Sequence, residues 1–287
     1  MKLRIHTTRI RLLGLAAAAV LGMTTSQALE LNKGDHVVLI GNALAERMQH
    51  HGWLESYAQA AMPDKELVFR NHGFGGDKVN NRPRNSGFPS ADAYLEISKA
   101  DVILAFWGYN ESFDNSPDAY RADLTKWIDE TNGKKYNDKG APTIVLFSPI
   151  AHENLGQANL PDGSANNERL AKYAEVTRQV ANEKGVEFVD LFDLSQDLNE
   201  RSKLPLTING IHLTSKGNNQ LARGIHKSLF GKSPRASGRK LARIRDAVLD
   251  KNWHWYNRYR ATDGNDVWGG RSGLQFVKKQ TNRVVLQ

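Results

Sequence analysis

His212 is the first residue whose surroundings could support chemistry, because an asparagine precedes it by three positions. Asn209 can accept a hydrogen bond from one ring nitrogen and leave the other free to take a proton, as a catalytic base requires. A single histidine is more often structural than catalytic, so its neighbours must decide the interpretation. The following Thr214 or Ser215 could cap a helix, which would place His212 on the loop before that helix.

Two other segments could stabilise a developing negative charge. Asn110 lies in Gly-Tyr-Asn-Glu, residues 108–111, where its amide could donate to an oxyanion or merely cap the next turn. The glycines of Asn-His-Gly-Phe-Gly-Gly-Asp, residues 71–77, could expose a bare N–H to an anion or simply reverse the chain. This segment is not a dinucleotide fingerprint, because no helix with suitably spaced apolar residues opens directly behind it.

The pattern of apolar residues places these segments at the ends of predicted strands. Five short, β-rich apolar runs alternate with longer runs of helical periodicity. Parallel strands need helical crossovers, and the loops at their carboxyl ends carry the functional residues of such sheets. The alternation predicts an α/β fold, a three-layer α/β/α sandwich around a mainly parallel five-stranded sheet. The predicted strands are residues 36–40, 66–70, 101–106, 143–147 and 187–191, and the helices between them are 44–61, 91–98, 117–131 and 166–184.

In order and spacing, these segments resemble the motifs of the SGNH (GDSL-type) hydrolase family. Its motifs read Gly-Asp-Ser, a glycine, Gly-x-Asn and Asp-x-x-His, and the resemblance covers residues 34–231. It implies a flavodoxin-like SGNH fold in which Gly76 and Asn110 stabilise an oxyanion and His212 is the general base. It also implies hydrolysis of ester bonds, with an acylated carbohydrate or another small polar ester as the substrate and no cofactor.

Two positions depart from the motifs of the family. Residues 41–43 read Gly-Asn-Ala, so Ala43 stands where the family has its nucleophilic serine, and Asn209 stands where it has the aspartate that orients the histidine. An alanine methyl group cannot attack a carbonyl, which closes the acyl-enzyme route. Asn209 can hold the tautomer of His212 but supplies no negative charge, and the same exchange in serine proteases costs about 10⁴-fold in turnover.

Three interpretations of the altered site remain open. It could bind a carbohydrate or a protein partner without turnover. It could hydrolyse esters by direct attack of water with His212 as the base, since well-placed donors retain an effect without a nucleophile. In that case the donors would be Gly76, Asn110 and Asn42. Alternatively a nearby acid, Glu46 or Glu111, could supply acid–base chemistry that the family does not use.

Four residues that flank these segments are predicted to contact substrate: Tyr109, Glu46, Glu111 and His152. His152 and Glu153 follow the fourth predicted strand, so this pair is expected to line the pocket rather than to bind a metal. His50 and His51 are adjacent, so on a helix their side chains diverge by about 100° and cannot easily share an ion. No metal site is expected.

The chain opens with basic residues and an apolar run that small residues close at positions 26–28. The run is shorter than the roughly 18 to 20 residues that cross a bilayer, so it predicts a signal peptide, residues 1–28, cleaved after Ala28. The protein is therefore expected to be exported, periplasmic or secreted, with no transmembrane segment after cleavage. The sequence contains no cysteine, which excludes disulfides, thiolate catalysis and attached c-type haem.

A basic, aromatic-rich C-terminal extension, residues 232–287, follows the predicted SGNH-like domain, residues 29–231. The extension carries 13 Lys and Arg against 4 Asp and Glu, whereas the predicted domain carries 22 against 27. The high isoelectric point is therefore poor evidence for nucleic-acid binding, which is not expected. The extension is expected to dock onto the body or a protein partner, with glycan contact as the alternative. It also resembles the segment after SGNH modules in some large, exported, haem-containing bacterial proteins.

Overall fold

The computed structural model describes residues 28–84, 88–259, 267, 269–277 and 279–286 of the 287-residue chain. The predicted signal peptide therefore lies almost entirely outside the described residues. The strands are β1 (His36–Gly41), β2 (Val68–Asn71), β3 (Val102–Phe106), β4 (Thr143–Phe147), β5 (Glu187–Val189), β6 (Gln275–Val277) and β7 (Gln280–Thr281). The helices are α1 (Ala43–His51), α2 (Trp53–Ala61), α3 (Ala91–Ile97), α4 (Pro117–Asn132), α5 (Ser164–Lys184), α6 (Leu191–Arg201), α7 (Ser215–Phe230), α8 (Gly238–Tyr259) and α9 (Asn282–Leu286).

Strands β1 to β5 form one parallel sheet in the order β2-β1-β3-β4-β5. This arrangement confirms the predicted α/β fold with a five-stranded parallel sheet. Strand β1 lies in the interior, where Leu39 pairs with Asn71 of β2 on one side and with Leu104 of β3 on the other. The carboxyl ends of β1, β3 and β4 therefore lie side by side, and the loops that follow them share one edge of the sheet.

Alternate residues of the central strands enter two separate cores. Val37 and Leu39 of β1 pack in a core with residues of α1, α2 and α7, whereas Val38 and Ile40 pack in a core with residues of α4 and α5. Successive side chains of a strand point to opposite faces of the sheet, so both faces are covered by helices. The result is the predicted three-layer α/β/α sandwich.

The predicted boundaries were wrong at two places. The single helix predicted for residues 44–61 is divided into α1 and α2 at Gly52, whose φ of 67° ends the first helix in a left-handed conformation. The fifth strand was predicted to reach Leu191, but it ends at Val189, and Asp190 caps α6 by accepting a hydrogen bond from the N–H of Asp193. Helix α6 was not predicted, because an apolar run of five residues does not distinguish a strand from the start of a helix.

Helix α8 of the C-terminal extension packs on the body beside β2, the edge strand. The indole N–H of Trp255 donates to the carbonyl of Asn71 at 2.7 Å, and the rings of Trp255 and Tyr259 stack on His72 with centroids 5.6 and 5.1 Å away. His72 is fully buried, and burial lowers its pKa to about 3. This part of the extension therefore docks onto the body, one of the outcomes that the sequence predicted.

A charged pair fixes the same helix. The ammonium of Lys251 lies 2.7 Å from the carboxylate of Glu55. Burial raises the pKa of Glu55 and lowers that of Lys251, because each charge has left water. Such a pair contributes little net stability, but removal of either partner would leave the other charge buried alone. The pair therefore fixes the register of α8 on α2.

No helix in the described part of the chain is long and apolar enough to cross a membrane. Among the same residues, no three His, Cys, Asp or Glu side chains converge in a way that could hold a metal ion.

Substitution of Trp255 tests the docking of α8. We expect Trp255→Ala to lower the free energy of unfolding by about 2 kcal/mol, since full burial of such a ring is worth about 3 to 5 kcal/mol and Trp255 is only half-buried. Trp253 lies on the same helix with 63% of its surface exposed, so Trp253→Ala should change stability by less than about 0.5 kcal/mol. Urea denaturation of the two variants measures the difference, and equal effects would contradict the docking.

Candidate active site

Asn209 holds the ring of His212 in one tautomer. The side-chain oxygen of Asn209 accepts hydrogen bonds from the backbone N–H of His212 at 3.0 Å and from that of Ile211 at 3.4 Å. The same oxygen lies 3.1 Å from Nδ1 of His212. Because that oxygen can only accept, Nδ1 carries the proton and Nε2 keeps its lone pair. The predicted Asn209–His212 pair is thus formed, and it leaves a basic nitrogen available.

The loop before His212 is tied to the body by the buried carboxylate of Glu153. Its oxygens accept hydrogen bonds from the N–H of Leu206 at 2.9 Å and from the N–H and hydroxyl of Thr207 at 2.7 and 2.6 Å. The hydroxyl of Thr207 in turn accepts from the N–H of Gly210 at 3.0 Å. Hydrogen bonds to an ionised group are among the strongest in proteins, so Glu153 fixes the conformation of this loop.

The ring of His152 packs against the same loop at Gly210. A Cβ atom on Gly210 would lie 2.2 Å from Nε2 of His152, and Gly210 has a φ of 87°, so only glycine fits there. The other ring nitrogen of His152 contacts the amide of Asn166 at 2.9 Å. His152 is buried against the loop and does not line the hollow that contains His212. The geometry therefore gives it a supporting position instead of the predicted substrate contact.

Ala43 is the first residue of α1 and lies on the same hollow as His212. The side chain of Asn42 caps the helix by accepting from the N–H of Leu44 at 3.1 Å. The first N–H groups of a helix have no partner within it, so the N–H of Ala43 is a potential donor to an anion. The predicted nucleophile position therefore offers a methyl group and a backbone donor.

The glycine-rich loop lies against the first turn of α1. The N–H of Gly75 donates to the carboxylate of Glu46 at 2.8 Å, and a Cβ on Gly73 would lie 2.4 Å from the backbone nitrogen of Glu46. Gly76 has a φ of 89° and open space at its Cβ position. The amide of Asn110 donates to the carbonyl of Asp77 at 2.8 Å, which attaches the third motif to this loop. The structure thus brings the loop of Gly76, Asn110 and the start of α1 together.

Glu46 and Glu111 both serve as acceptors for backbone N–H groups. Glu46 anchors the glycine-rich loop, as described, and it does not line the hollow. Glu111 is buried and accepts from the N–H of Val79 at 2.8 Å and that of Gly108 at 2.9 Å. Burial raises the pKa of Glu111. These contacts indicate that both carboxylates position loops, and they place neither beside the ring of His212.

The hollow between α1, α7 and the strand ends is narrow and mainly apolar. Its cavity volume is about 40 Å³. Tyr109, a predicted substrate contact, lines the hollow and is half-buried, and burial raises the pKa of its hydroxyl. The apolar walls are formed by Leu44, Phe106, Pro149, Ile150, Ile211 and Leu213.

Arg47 also lines the hollow, and the sequence did not predict it as a site residue. Burial lowers the pKa of His212, and the positive charge of Arg47 lowers it further, with Glu46 opposing. The imidazole is therefore neutral at neutral pH, which is the form that accepts a proton. Arg47 follows Ala43 by four residues on α1, so the helical period could have revealed that the two share a face.

Asn218 was also missed as a site residue, and the anchoring role of Glu153 was not predicted. Asn218 lines the hollow and interrupts the apolar face of α7, where Leu221 and Ile225 are buried. A polar residue within an apolar helix face is unusual, so the sequence could have indicated Asn218. The role of Glu153 depends on contacts with residues more than fifty positions away, so no local pattern could have revealed it.

Comparison with known proteins agrees with this geometry. The sequence profile of the family described as "GDSL-like Lipase/Acylhydrolase family" matches residues 40–220. No curated protein matches the sequence.

Solved structures share the fold at low sequence identity. A catalytic mutant of Axe2, an acetylxylan esterase from Geobacillus stearothermophilus, superposes with a TM-score of 0.56 and 18% identity, covering 73% of this chain and all of that one. LAE5, an alpha/beta hydrolase enzyme from the metagenome of Lake Arreo, Spain, gives a TM-score of 0.54 and 18% identity over 69% of this chain and 96% of its own. The chain belongs to the GDSL-like lipase/acylhydrolase (SGNH) family.

Proposed function

We propose that the protein hydrolyses short-chain acyl esters, of the kind carried by acylated carbohydrates, by direct attack of water. The observation that supports this most strongly is that the oriented ring of His212 and the methyl group of Ala43 line one small hollow. A side chain that could form an acyl-enzyme is absent from position 43, but a base remains beside the space that a serine hydroxyl would fill. The acetylxylan esterase among the structural relatives supports the choice of substrate class.

The proposed reaction uses His212 as the base and three N–H donors for the oxyanion. Water attacks the ester carbonyl carbon while Nε2 of His212 takes its proton. The N–H groups of Ala43 and Gly76 and the second amide hydrogen of Asn110 would stabilise the tetrahedral oxyanion. Collapse of this intermediate breaks the bond to the alcohol oxygen, which receives the proton from His212. The products are a carboxylic acid and an alcohol.

Slow turnover is expected. In serine proteases, removal of members of the catalytic triad leaves about 10³- to 10⁴-fold acceleration over water, which arises from the oxyanion donors and from binding. Asn209 cannot stabilise the imidazolium with a full charge, and Arg47 disfavours it. Both effects weaken the base relative to a site with aspartate.

We also propose that the protein is exported. The basic N-terminus and the apolar run before Ala28 support this location. The N-terminal sequence of the mature protein, isolated from its native host, would test cleavage after Ala28.

A second candidate function is ligand binding without turnover. Ala43 and Asn209 favour it, because each removes a group on which the usual chemistry depends. In this case the hollow would hold the acyl group of a carbohydrate ester that is never cleaved. Measurable binding of an acetylated xylo-oligosaccharide by calorimetry, with no release of acetate over days, would support this candidate over hydrolysis.

The role of His212 is tested with p-nitrophenyl acetate and acetylated sugars. Since the base contributes about 10²- to 10⁴-fold, His212→Ala should reduce kcat/KM by at least about 100-fold. His254→Ala is the matched control, because His254 lies exposed on α8, and it should retain the full rate. Equal rates for wild type and His212→Ala would contradict the assignment of the base.

Restoring the two altered positions should change the kinetic mechanism. In Ala43→Ser with Asn209→Asp, a serine hydroxyl would lie in the hollow beside a charge-supported imidazole. We expect a gain in kcat of at least about 10²-fold and a pre-steady-state burst of p-nitrophenol, which the wild type should lack. A correctly folded double variant with no gain would count against the placement of both positions.

The pH dependence follows from the lowered pKa of His212. Activity needs the neutral ring and is lost as pH falls through the pKa, so the plateau of kcat/KM should extend below pH 6.5. Arg47→Met removes a positive charge and should move the acidic limb to higher pH. Arg201→Met, a change at an exposed residue of α6, is the control and should leave the limb in place. If the acidic limb of the Arg47→Met profile stays at the same pH, the electrostatic role of Arg47 is refuted.

A further inference from the structure

Asn218 has a buried amide that lacks protein partners. The residue is 2% exposed, and neither its side-chain nitrogen nor its side-chain oxygen makes a hydrogen bond. Within the described part of the chain, it is the one buried side chain in which both a donor and an acceptor are left unpaired. Asn218 lies in the first turns of α7 and lines the hollow that contains Ala43 and His212.

An unpaired buried amide needs an explanation. Its desolvation without compensating hydrogen bonds is unfavourable, and nearly all buried polar groups in proteins have partners. The neighbouring positions on this face of α7 are occupied by Leu221, Ala222 and Ile225, so a leucine at position 218 would match its surroundings. Since residues 28–84, 88–259 and the described part of the C-terminus supply no partner, the partner is expected to come from a ligand in the hollow.

We propose that Asn218 recognises a hydroxyl group on the acyl chain of the bound ester, so that the substrates are short hydroxyacyl esters. This inference rests on the proposed function, which places the acyl group in the hollow. A hydroxyl accepts a hydrogen bond from the amide nitrogen and donates one to the amide oxygen, and it is the smallest group that does both. The methyl group of an acetate ester does neither.

The depth of Asn218 in the hollow assigns the hydroxyl to the acyl chain. Asn218 is almost completely buried, whereas Ala43 and His212 are half-buried. The ester bond therefore lies near Ala43 and His212, the alcohol portion remains outside, and the acyl chain reaches Asn218 along the apolar walls.

The experiment compares matched esters that differ by one hydroxyl. Binding of methyl glycolate and methyl 3-hydroxypropanoate is measured by NMR titration beside methyl acetate and methyl propanoate, with xylose as a probe for sugar hydroxyls. We expect at least one hydroxylated ester to bind about tenfold more tightly than its matched partner, because a site built to hydrogen-bond a hydroxyl disfavours the analogue without it. Equal affinities within both pairs, or a preference for xylose, would overturn the inference.

Two variants separate recognition from a structural role. Asn218→Leu should abolish the preference while the Tm without ligand stays unchanged or rises, because an unpaired buried amide has been removed. Asn219→Leu is the control: Asn219 donates to the hydroxyl of Tyr57 at 2.9 Å, so this variant should lose stability and keep the preference. A preserved preference in Asn218→Leu would overturn the recognition role, and a lower Tm would show that the amide serves the fold.

Failure of this inference is distinguishable from failure of the proposed hydrolysis. Binding is measured without turnover, so a hydroxyl preference without ester cleavage supports the role of Asn218 and contradicts hydrolysis. Cleavage of all four esters without any preference in binding supports hydrolysis and refutes the role of Asn218.

Discussion

The close approach of Gly41 to Phe106 is the constraint on which the geometry of the site depends. Gly41 ends β1 and pairs with Phe106 at the end of β3, and a Cβ atom on Gly41 would lie 2.2 Å from the carbonyl oxygen of Phe106. Its φ of 130° is also a conformation that other residues rarely adopt. Because glycine allows the chain to turn at this point, α1 can begin directly at the edge of the sheet. Ala43 is thereby placed where the loops after β3 and β4 and the loop of His212 meet.

Two carboxylates hold the loops around the hollow. The loop of His212 is held by the buried carboxylate of Glu153, and the glycine-rich loop is held by Glu46. The predicted positions of the nucleophile and of the orienting acid carry a methyl group and an amide. Burial lowers the pKa of His212, and the positive charge of Arg47 lowers it further. These features support the proposal of a neutral base that acts on water.

The sequence predicted the fold and the meeting of the four loops because both depend on local patterns. Alternating strands and helices require a covered parallel sheet, and parallel strands bring their carboxyl ends to one edge. The roles of His152 and Glu111 could not be predicted in the same way. Both follow strands at the functional edge. The ring of His152 contacts the amide of Asn166 and packs against Gly210, and Glu111 accepts from the N–H of Val79, so both positions depend on tertiary packing. Asn218 lies outside the family motifs, and its only signal in the sequence is a polar residue on the apolar face of α7.

The C-terminal extension belongs to the architecture of the site. Trp255 and Tyr259 donate hydrogen bonds to the carbonyls of Asn71 and His72, which immediately precede the glycine-rich loop. The side chain of Asn71 accepts from the N–H of Gly73 and donates to the carbonyl of Ala45, so it joins that loop to α1. Helix α8 therefore holds the backbone from which the loop of Gly76 projects, at a sheet edge that would otherwise be open to other strands. Loss of this helix would loosen the glycine-rich loop before it affected the loop of His212, because the loop of His212 is anchored separately by Glu153.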